Sequence, residues 1–271
     1  MVKKWIGRLY ALGVFVFLYA PIAVLIAYSF NSGKSRGRFE GFTLDWYRAL
    51  FHNQQISSAL YYTLVIAVLS AAIATVIGVA AAIGLSQMKP RVQKAAINVN
   101  YLPVLNPDIV TGIALMLFFV SLGVRLGFGT MLLAHIVFNI PYVILSVAPR
   151  LRSSSARLME AAMDLGATPL QALRKVVLPE IFPGIMSGFL IAFTLSIDDF
   201  VISFFTTGSG VSNLSIEIYS MARRGIKPEI NALSTLLFLS VLLLLIGINL
   251  LSKRGGKKKN GDELAEQSLM V

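Results

Sequence analysis

Cysteine is absent from this chain. Its absence excludes disulfides and any metal centre built on thiolates. Charge is also scarce. Asp, Glu, Lys and Arg together make up 14% of the residues, against roughly one quarter in soluble domains. A phosphate-binding loop of the form G-x-x-x-x-G-K-[ST] is missing too: "TTGSGVSN", from Thr206 to Asn213, has the glycines without the lysine. Nothing in the chain therefore supplies the cradle that ATP hydrolysis usually needs. What is plentiful is apolar surface. Hydrophobic residues make up 56% of the 271, and the mean hydropathy is +0.74. That is more than one aqueous core can bury, so the composition calls for an all-α membrane protein.

The net charge of +11, from 24 Lys+Arg against 13 Asp+Glu, would fit nucleic acid if the cations formed a patch. Instead they sit in short segments between apolar runs, where phospholipid head groups are their natural partners. Nucleic acid is not among the expected partners. A helix needs about 20 apolar residues to cross a bilayer, and six runs qualify: about Ile6–Phe30, Ser57–Leu85, Tyr101–Leu122, Thr130–Val147, Ile181–Thr206 and Ala232–Leu251. The first is too long for a signal peptide and has no A-x-A site after it, so it reads as a retained anchor. The expectation is a transmembrane domain over 1–252 and a polar, disordered tail over 253–271. The second run carries "SAAIATVIGVAAAIG", a track of small residues suited to close helix contact inside a bundle.

Lys and Arg also set the orientation. Alternate segments hold sixteen of them, including Lys89, Arg91, Lys94, Arg150, Arg174 and Lys175, against eight in the other set. The richer set belongs inside, which puts both termini in the cytoplasm. In the outer segment from Asn31 to Ile56, "FTLDWYRALF" reads as an amphipathic interfacial helix with Trp46 and Tyr47 as anchors.

One inner segment, about 150–180, is more organised than the rest. In "LMEAAMDLGATPLQALRKVVLPEIFPGI", Leu158, Ala161, Ala162 and Leu165 recur at helical spacing. Gly166 then supplies a stop. Thr168 can cap a second helix that has Pro169 at its first position and Gln171 completing a capping box. Leu170, Leu173, Val176 and Val177 form its apolar side, and Pro179 and Pro183 redirect the chain into the fifth run. The plain alternative is a connector, but a connector has no need of two capped helices. The pattern E-A-A, three residues, G, nine residues, I-x-L-P resembles the EAA motif of permease subunits of ATP-binding-cassette importers. Here it reads Glu160, Ala161, Ala162, Gly166, Val176, Leu178 and Pro179, with Val in place of Ile. The resemblance implies a type I (MetI-like) ABC importer permease fold. In that fold, Glu160, Ala161, Ala162 and Gly166 form a coupling helix that docks on a separate ATPase, and Leu178 and Pro179 anchor it. ATP and Mg would be bound by that ATPase, with no cofactor in this chain and no enzymatic role for it.

Three acids interrupt the apolar runs. Asp108 lies in "LPVLNPDIVTGIALM", and Asp198 and Asp199 lie in "FLIAFTLSIDDFVISFF". An acid at the centre of a spanning helix costs about 2.5–3.5 kcal/mol on insertion scales. Asp108 is fourteen residues past Lys94 and Asp198 fifteen past Pro183. On straight helices both would lie roughly 20 Å along their segments, at one level. Neighbours on a helix point about 100° apart, so Asp198 and Asp199 cannot both face one cavity. Pro107 breaks or kinks the third run just before Asp108. These acids either play a structural part, capping broken helices or pairing with a partner subunit's Arg or Lys, or form a negative site for a travelling cation. An amine beside Phe200, Phe204, Tyr61, Tyr62 or Tyr219 would also gain cation–π attraction, though ordinary packing explains each ring as well. His135 fits a satisfied bundle residue or a proton relay. "SMARRGIKPEINA" fits a solvated turn or a contact surface for a binding protein.

"YAPIAVLIAYSFN", "PDIVTGIALML", "TLSIDDFVISFFTTG" and "KPEINALSTL" resemble, together and across about residues 10 to 250, the permease subunits of spermidine/putrescine importers of the PotC-like type. The resemblance implies a bacterial inner-membrane complex. Its other parts would be a second, homologous permease (PotB-like), two copies of an ATPase (PotA-like) and an extracytoplasmic polyamine-binding protein (PotD-like). It also implies that Asp108, Asp198 and Asp199 line the substrate pathway. Three readings compete with it: a permease of the same superfamily for another small cation or solute, a self-contained ion-coupled transporter, and an intramembrane aspartyl protease using acids on two spans.

Overall fold

The computed structural model describes residues 2–33, 38–151, 156–224, 228–240 and 242–243. The expected tail over 253–271, the end of the sixth apolar run, and Lys34, Arg36, Arg152 and Lys227 lie outside them. Among the described residues every regular element is a helix, apart from an isolated bridge between Asn31 and Phe42. The all-α expectation therefore holds. Two compact units emerge, residues 54–220 and residues 1–53 with 221–271.

The larger unit is organised by α3 (Gln54–Ser86), α6 (Phe128–Arg150) and α9 (Leu178–Asp198), which pack pairwise against one another. The small-residue track of α3 makes this possible. Ala67, Ser70, Ala71, Ala74, Gly78 and Ala82 are all buried on its inner face. Lipid tails are as apolar as leucine, so helices in a bilayer gain by close packing rather than by escaping water. Gly78 marks the tightest point: a Cβ there would lie 2.7 Å from the Val143 side chain of α6. Ala71, Val79, Val143, Val147, Ile181 and Ala192 close the core between the three helices.

The third apolar run is not a straight span. α4 (Pro90–Leu105) and α5 (Asp108–Ser121) meet at a 98° bend. Pro107 lacks an amide donor and holds Asn106 in extended backbone (φ −74°, ψ 139°). The break was legible in the sequence, but its size overturns the depth arithmetic for Asp108. Residues before the bend run nearly at right angles to those after it, so they add little rise along the same axis.

Two further expectations are corrected at the fifth run. Pro179 and Pro183 do not redirect the chain: Pro169–Asp198 is one continuous apolar helix of 30 residues. A π turn at Leu173–Val177 links α8 (Pro169–Ala172) to α9, with Leu178 N–H donating to the Leu173 carbonyl. The wider turn relieves the clash that Pro179 would otherwise have with the carbonyl four residues back. At its other end the helix stops at Asp198 instead of continuing to Thr206. α10 (Val201–Thr206) is a separate short helix packed on α5 and α6.

Among the described residues, four helices are long and apolar enough to cross a membrane: Trp5–Ser29, Gln54–Ser86, Phe128–Arg150 and Pro169–Asp198. The bent α4–α5 pair makes a broken fifth. α7 (Ala156–Asp164) and α11 (Leu214–Arg224) complete the connections, α11 belonging to the larger unit up to Ser220. In the smaller unit, α12 (Glu229–Ser240) is the described part of the sixth run. α1 (Val2–Ser29) exposes Leu9, Phe15 and Phe17 along its length, as a lipid-facing helix does. The expected interfacial helix forms as α2 (Asp45–His52). Trp46 Nε1 donates to the Asn31 carbonyl at 2.7 Å, and the Tyr47 hydroxyl is 2.7 Å from Ser29 Oγ. Both anchors are thus tied back to the end of α1.

Candidate functional site

The EAA segment forms as one short helix, a tight turn and the capped start of the long helix that runs on to Asp198. α7 carries Glu160, Ala161 and Ala162 and ends in a Schellman arrangement. Ala167 N–H donates to the Ala162 carbonyl at 3.0 Å, and Gly166 N–H to the Met163 carbonyl at 2.9 Å. Gly166 adopts φ +87°, a conformation that costs an L-residue and not glycine. Thr168 then caps α8. Its Oγ1 accepts from Gln171 N–H at 3.4 Å, and Gln171 Oε1 accepts from Thr168 N–H at 3.1 Å. A cap of this kind contributes about 1 kcal/mol.

The apolar faces are distributed differently from the periodicity reading. Leu158, Leu165 and Leu170 point outward, Leu165 being 90% exposed, while Met159 and Leu173 pack on the core. Leu178 is half-buried against that same core, and Pro179 is exposed. Between this segment and the end of α3 lies a groove of about 470 Å³, walled by Ile83, Gln87, Met159, Glu160, Leu173 and Val177. Glu160 is exposed.

The acids take separate places. Asp108 is the first residue of α5 and is exposed. Asp198 is the last residue of α9 and is also exposed; its carbonyl accepts from Ser215 Oγ at 3.3 Å. Asp199 turns inward, with its side chain only 7% exposed. Its carboxylate accepts from Ile202 N–H at 3.2 Å and from Ser203 N–H at 2.7 Å. It therefore caps α10, one of the two roles the sequence left open. Capping demands non-helical backbone, and Asp199 has ψ 125°. This local competition is what ends α9.

A buried polar cluster surrounds the break. His135 Nε2 lies 3.5 Å from Asp199 Oδ2 and 2.9 Å from Ser203 Oγ, and His135 Nδ1 is 2.6 Å from Ser196 Oγ. Asn213 Nδ2 donates to the Asp199 carbonyl at 2.9 Å and to Ser203 Oγ at 2.8 Å. Both ring nitrogens of His135 are thus engaged, matching the satisfied-residue reading. Ser196, Ser203 and Asn213 escaped the sequence reading, because isolated Ser and Asn in apolar runs form no motif. Beside the break, Phe200, Phe204 and Tyr219 form one aromatic cluster, Phe200 and Tyr219 having centroids 4.6 Å apart. Tyr61 and Tyr62 meet edge to face elsewhere, with Tyr62 next to Phe128.

Asp108 and Asp198 both lie within about one turn of a single helix crossing. Gly112 follows Asp108 by four residues, on the same face of α5. A Cβ at Gly112 would meet Phe205 at 3.0 Å and the Val201 carbonyl at 3.4 Å. Val201 opens α10, just beyond Asp198 and Asp199.

Apolar helices long enough to cross a bilayer, a capped turn at one end and spans interrupted at acids define a membrane-embedded helical bundle. The comparisons with known proteins say which kind. The chain belongs to the family of binding-protein-dependent transport system inner membrane components, whose profile matches residues 74–255. It is 38% identical over 261 residues to the spermidine/putrescine transport system permease protein PotC of Escherichia coli K12, covering 95% of this chain and 99% of that one. It is 40% identical over 230 residues to the putrescine transport system permease protein PotI of the same organism, covering 82% of each. Among solved structures, a bacterial ABC transporter involved in import of the acidic polysaccharide alginate shares the fold, with TM-score 0.72 and 18% identity over 93% of this chain and 96% of that one. The inward-facing MetNI methionine ABC transporter does so with TM-score 0.58 and 22% identity, over 76% and 95%. The expectation of an ABC importer permease fold therefore holds.

Proposed function

We infer that this chain is the permease subunit of an ATP-driven importer of polyamines, the spermidine/putrescine class. The observation that carries this reading is the 38% identity to the E. coli spermidine/putrescine permease across 95% of the chain. The capped, outward-facing EAA segment supports it physically, because it offers an exposed apolar tip at Leu165 and Leu170 for a partner to bury.

In this reading the subunit pairs with a second permease (PotB-like) to enclose the path. Two ATPase copies (PotA-like) bind ATP and Mg and grip α7, through Glu160, Ala161, Ala162 and Gly166, with Leu178 and Pro179 fixing the segment to the bundle. A binding protein (PotD-like) delivers the polyamine from outside, and both termini lie in the cytoplasm. Asp108 and Asp198 supply negative charge to the path. Ammonium groups leaving water need such counter-charges, because an unpaired charge within the bilayer costs several kcal/mol. Asp199 serves by holding the α9–α10 break open, which keeps Asp198 at a helix end and turned away from the core.

The test is reconstitution. The four-component complex in proteoliposomes takes up labelled spermidine or putrescine only with ATP and the binding protein present. Failure to import either, or import independent of both additions, overturns the reading. Within that assay Asp198→Asn reduces uptake while the complex still assembles, and unchanged uptake kinetics would remove Asp198 from the path.

A further inference from the structure

At the end of α3 opposite the EAA groove lies a second cavity of about 290 Å³. Gln55 and Ser86 stand near the two ends of the helix. At about 1.5 Å per residue they are roughly 46 Å apart, so this cavity and the ATPase-facing groove occupy opposite faces of the bundle. Its walls include Gln55, Ser58, Tyr62, Ser212 and Glu217. Glu217 is the telling member. It is only 7% exposed, yet it borders the cavity. Its Oε2 accepts from Gln55 Nε2 at 2.8 Å, and no Lys, Arg or His pairs with it among the described residues.

A buried carboxylate with one neutral amide donor retains most of its acceptor capacity. Burial without a counter-charge is costly, so such a group is kept where a cation arrives. The other wall groups fit the same visitor. Ser58 and Ser212 offer hydroxyl oxygens, Tyr62 offers an aromatic face, and among the described residues no cationic side chain borders the cavity. The volume is at the lower end for ligand pockets, enough for an ammonium head and a few methylenes but not for a long chain. The anchoring is firm on both sides. Leu214 N–H donates to Thr63 Oγ1 of α3 at 2.8 Å, fixing the start of α11 one turn before Glu217. Two residues to either side of Glu217, Ser215 and Tyr219 contact Asp198 and Phe200. α11 thus stands between the cavity and the α9–α10 break beside Asp198.

We propose that the Gln55–Glu217 cavity is a binding site for a primary ammonium group, separate from Asp108 and Asp198, where one end of a polyamine is received on its way to the α9–α10 break. The chemical class follows from one carboxylate, an aromatic face and hydroxyl oxygens, with no positive neighbour among the described residues. The placement on the path rests on the polyamine reading above; the ammonium site itself does not.

The experiment measures binding of labelled putrescine to the assembled membrane complex in nanodiscs without the binding protein, with Asp108→Asn and Asp198→Asn together as background to silence the other two acids. Glu217→Gln keeps an amide able to bond Gln55 but removes the charge, and weakens putrescine binding about tenfold or more. The exchange variant Gln55→Glu with Glu217→Gln returns the charge to the same cavity and restores binding. Putrescine affinity unchanged by Glu217→Gln overturns the proposal. Should Glu217→Gln fail to assemble, the exchange variant decides: near-parental binding supports the site, and lost binding in an assembled complex overturns it. Wild-type complex that binds amines through Glu217 but imports no polyamine would refute the transport reading alone. Import of polyamine with binding indifferent to Glu217 would refute the site alone.

Discussion

Gly166 gives the sharpest test of how the EAA segment works. Its φ of +87° lies in the left-handed region, and an added Cβ would meet nothing within 4 Å. Any cost of Gly166→Ala is therefore conformational, with no steric part. The left-handed region costs an L-residue about 1–2 kcal/mol. The gain from a stiffer unfolded chain does not offset this where φ is positive. The loop has two responses. It can stay in place and carry the strain, or it can relax by releasing the Gly166 and Ala167 hydrogen bonds and re-form them only when the ATPase docks. In the second case the whole cost falls on docking, and affinity for the ATPase drops about five- to thirtyfold. In the first it appears as lower thermal stability of the complex. The assay titrates purified ATPase onto the two permeases in nanodiscs and follows thermal unfolding of the same samples. Gly166→Asn tolerates positive φ better and should lie between glycine and alanine. Alanine matching glycine in both measurements, or asparagine falling below alanine, would refute the reasoning.

At the α3–α6 crossing, Gly78→Ala should destabilise the bundle by about 1–3 kcal/mol through overpacking against Val143, and Val143→Gly should recover part of that loss. A thermal-unfolding double-mutant cycle with no coupling would contradict the close approach. Asp199→Ala should cost about 1–2 kcal/mol by uncapping α10, and Asp199→Asn less because it keeps an acceptor oxygen; equal losses for the two variants in thermal melts would remove the capping role. The chain purified by itself should turn over no ATP. A steady phosphate release assay without added ATPase is the check, and any sustained turnover would break the division of labour.

How far the sequence could be read depended on whether the signal was local. Gly166, Thr168 and Gln171 act on their own backbone, so the turn and the capped helix are legible from the residues alone. The same holds for Pro107, whose missing donor forecasts a break but not a 98° bend. The π turn at Leu173–Val177 was hidden because it is a compensation, arising only when a helix must pass Pro179 without stopping. The outward Leu158 and Leu165 misled for a related reason. Apolar period marks a face that will be buried but does not say by which neighbour, and here the bundle takes Met159 instead. For the Asp198–Asp199 pair, helical geometry dictated that one must turn away. Only the positions of Ser203 and His135 decided which. Glu217 left no trace, being a lone acid between two apolar runs, and its meaning comes wholly from what surrounds it.

The unbroken helix from Pro169 to Asp198 also has a mechanical consequence. Thirty helical residues make a stiff rod about 45 Å long. One end sits beside the glycine turn that a motor subunit would hold, and the other ends at an exposed acid. Tilting that rod by about 10° would swing its far tip roughly 8 Å, more than the diameter of an ammonium group. On the proposed path, such a small rotation would carry Asp198 from one side of a passenger to the other, with no need for the helix to bend.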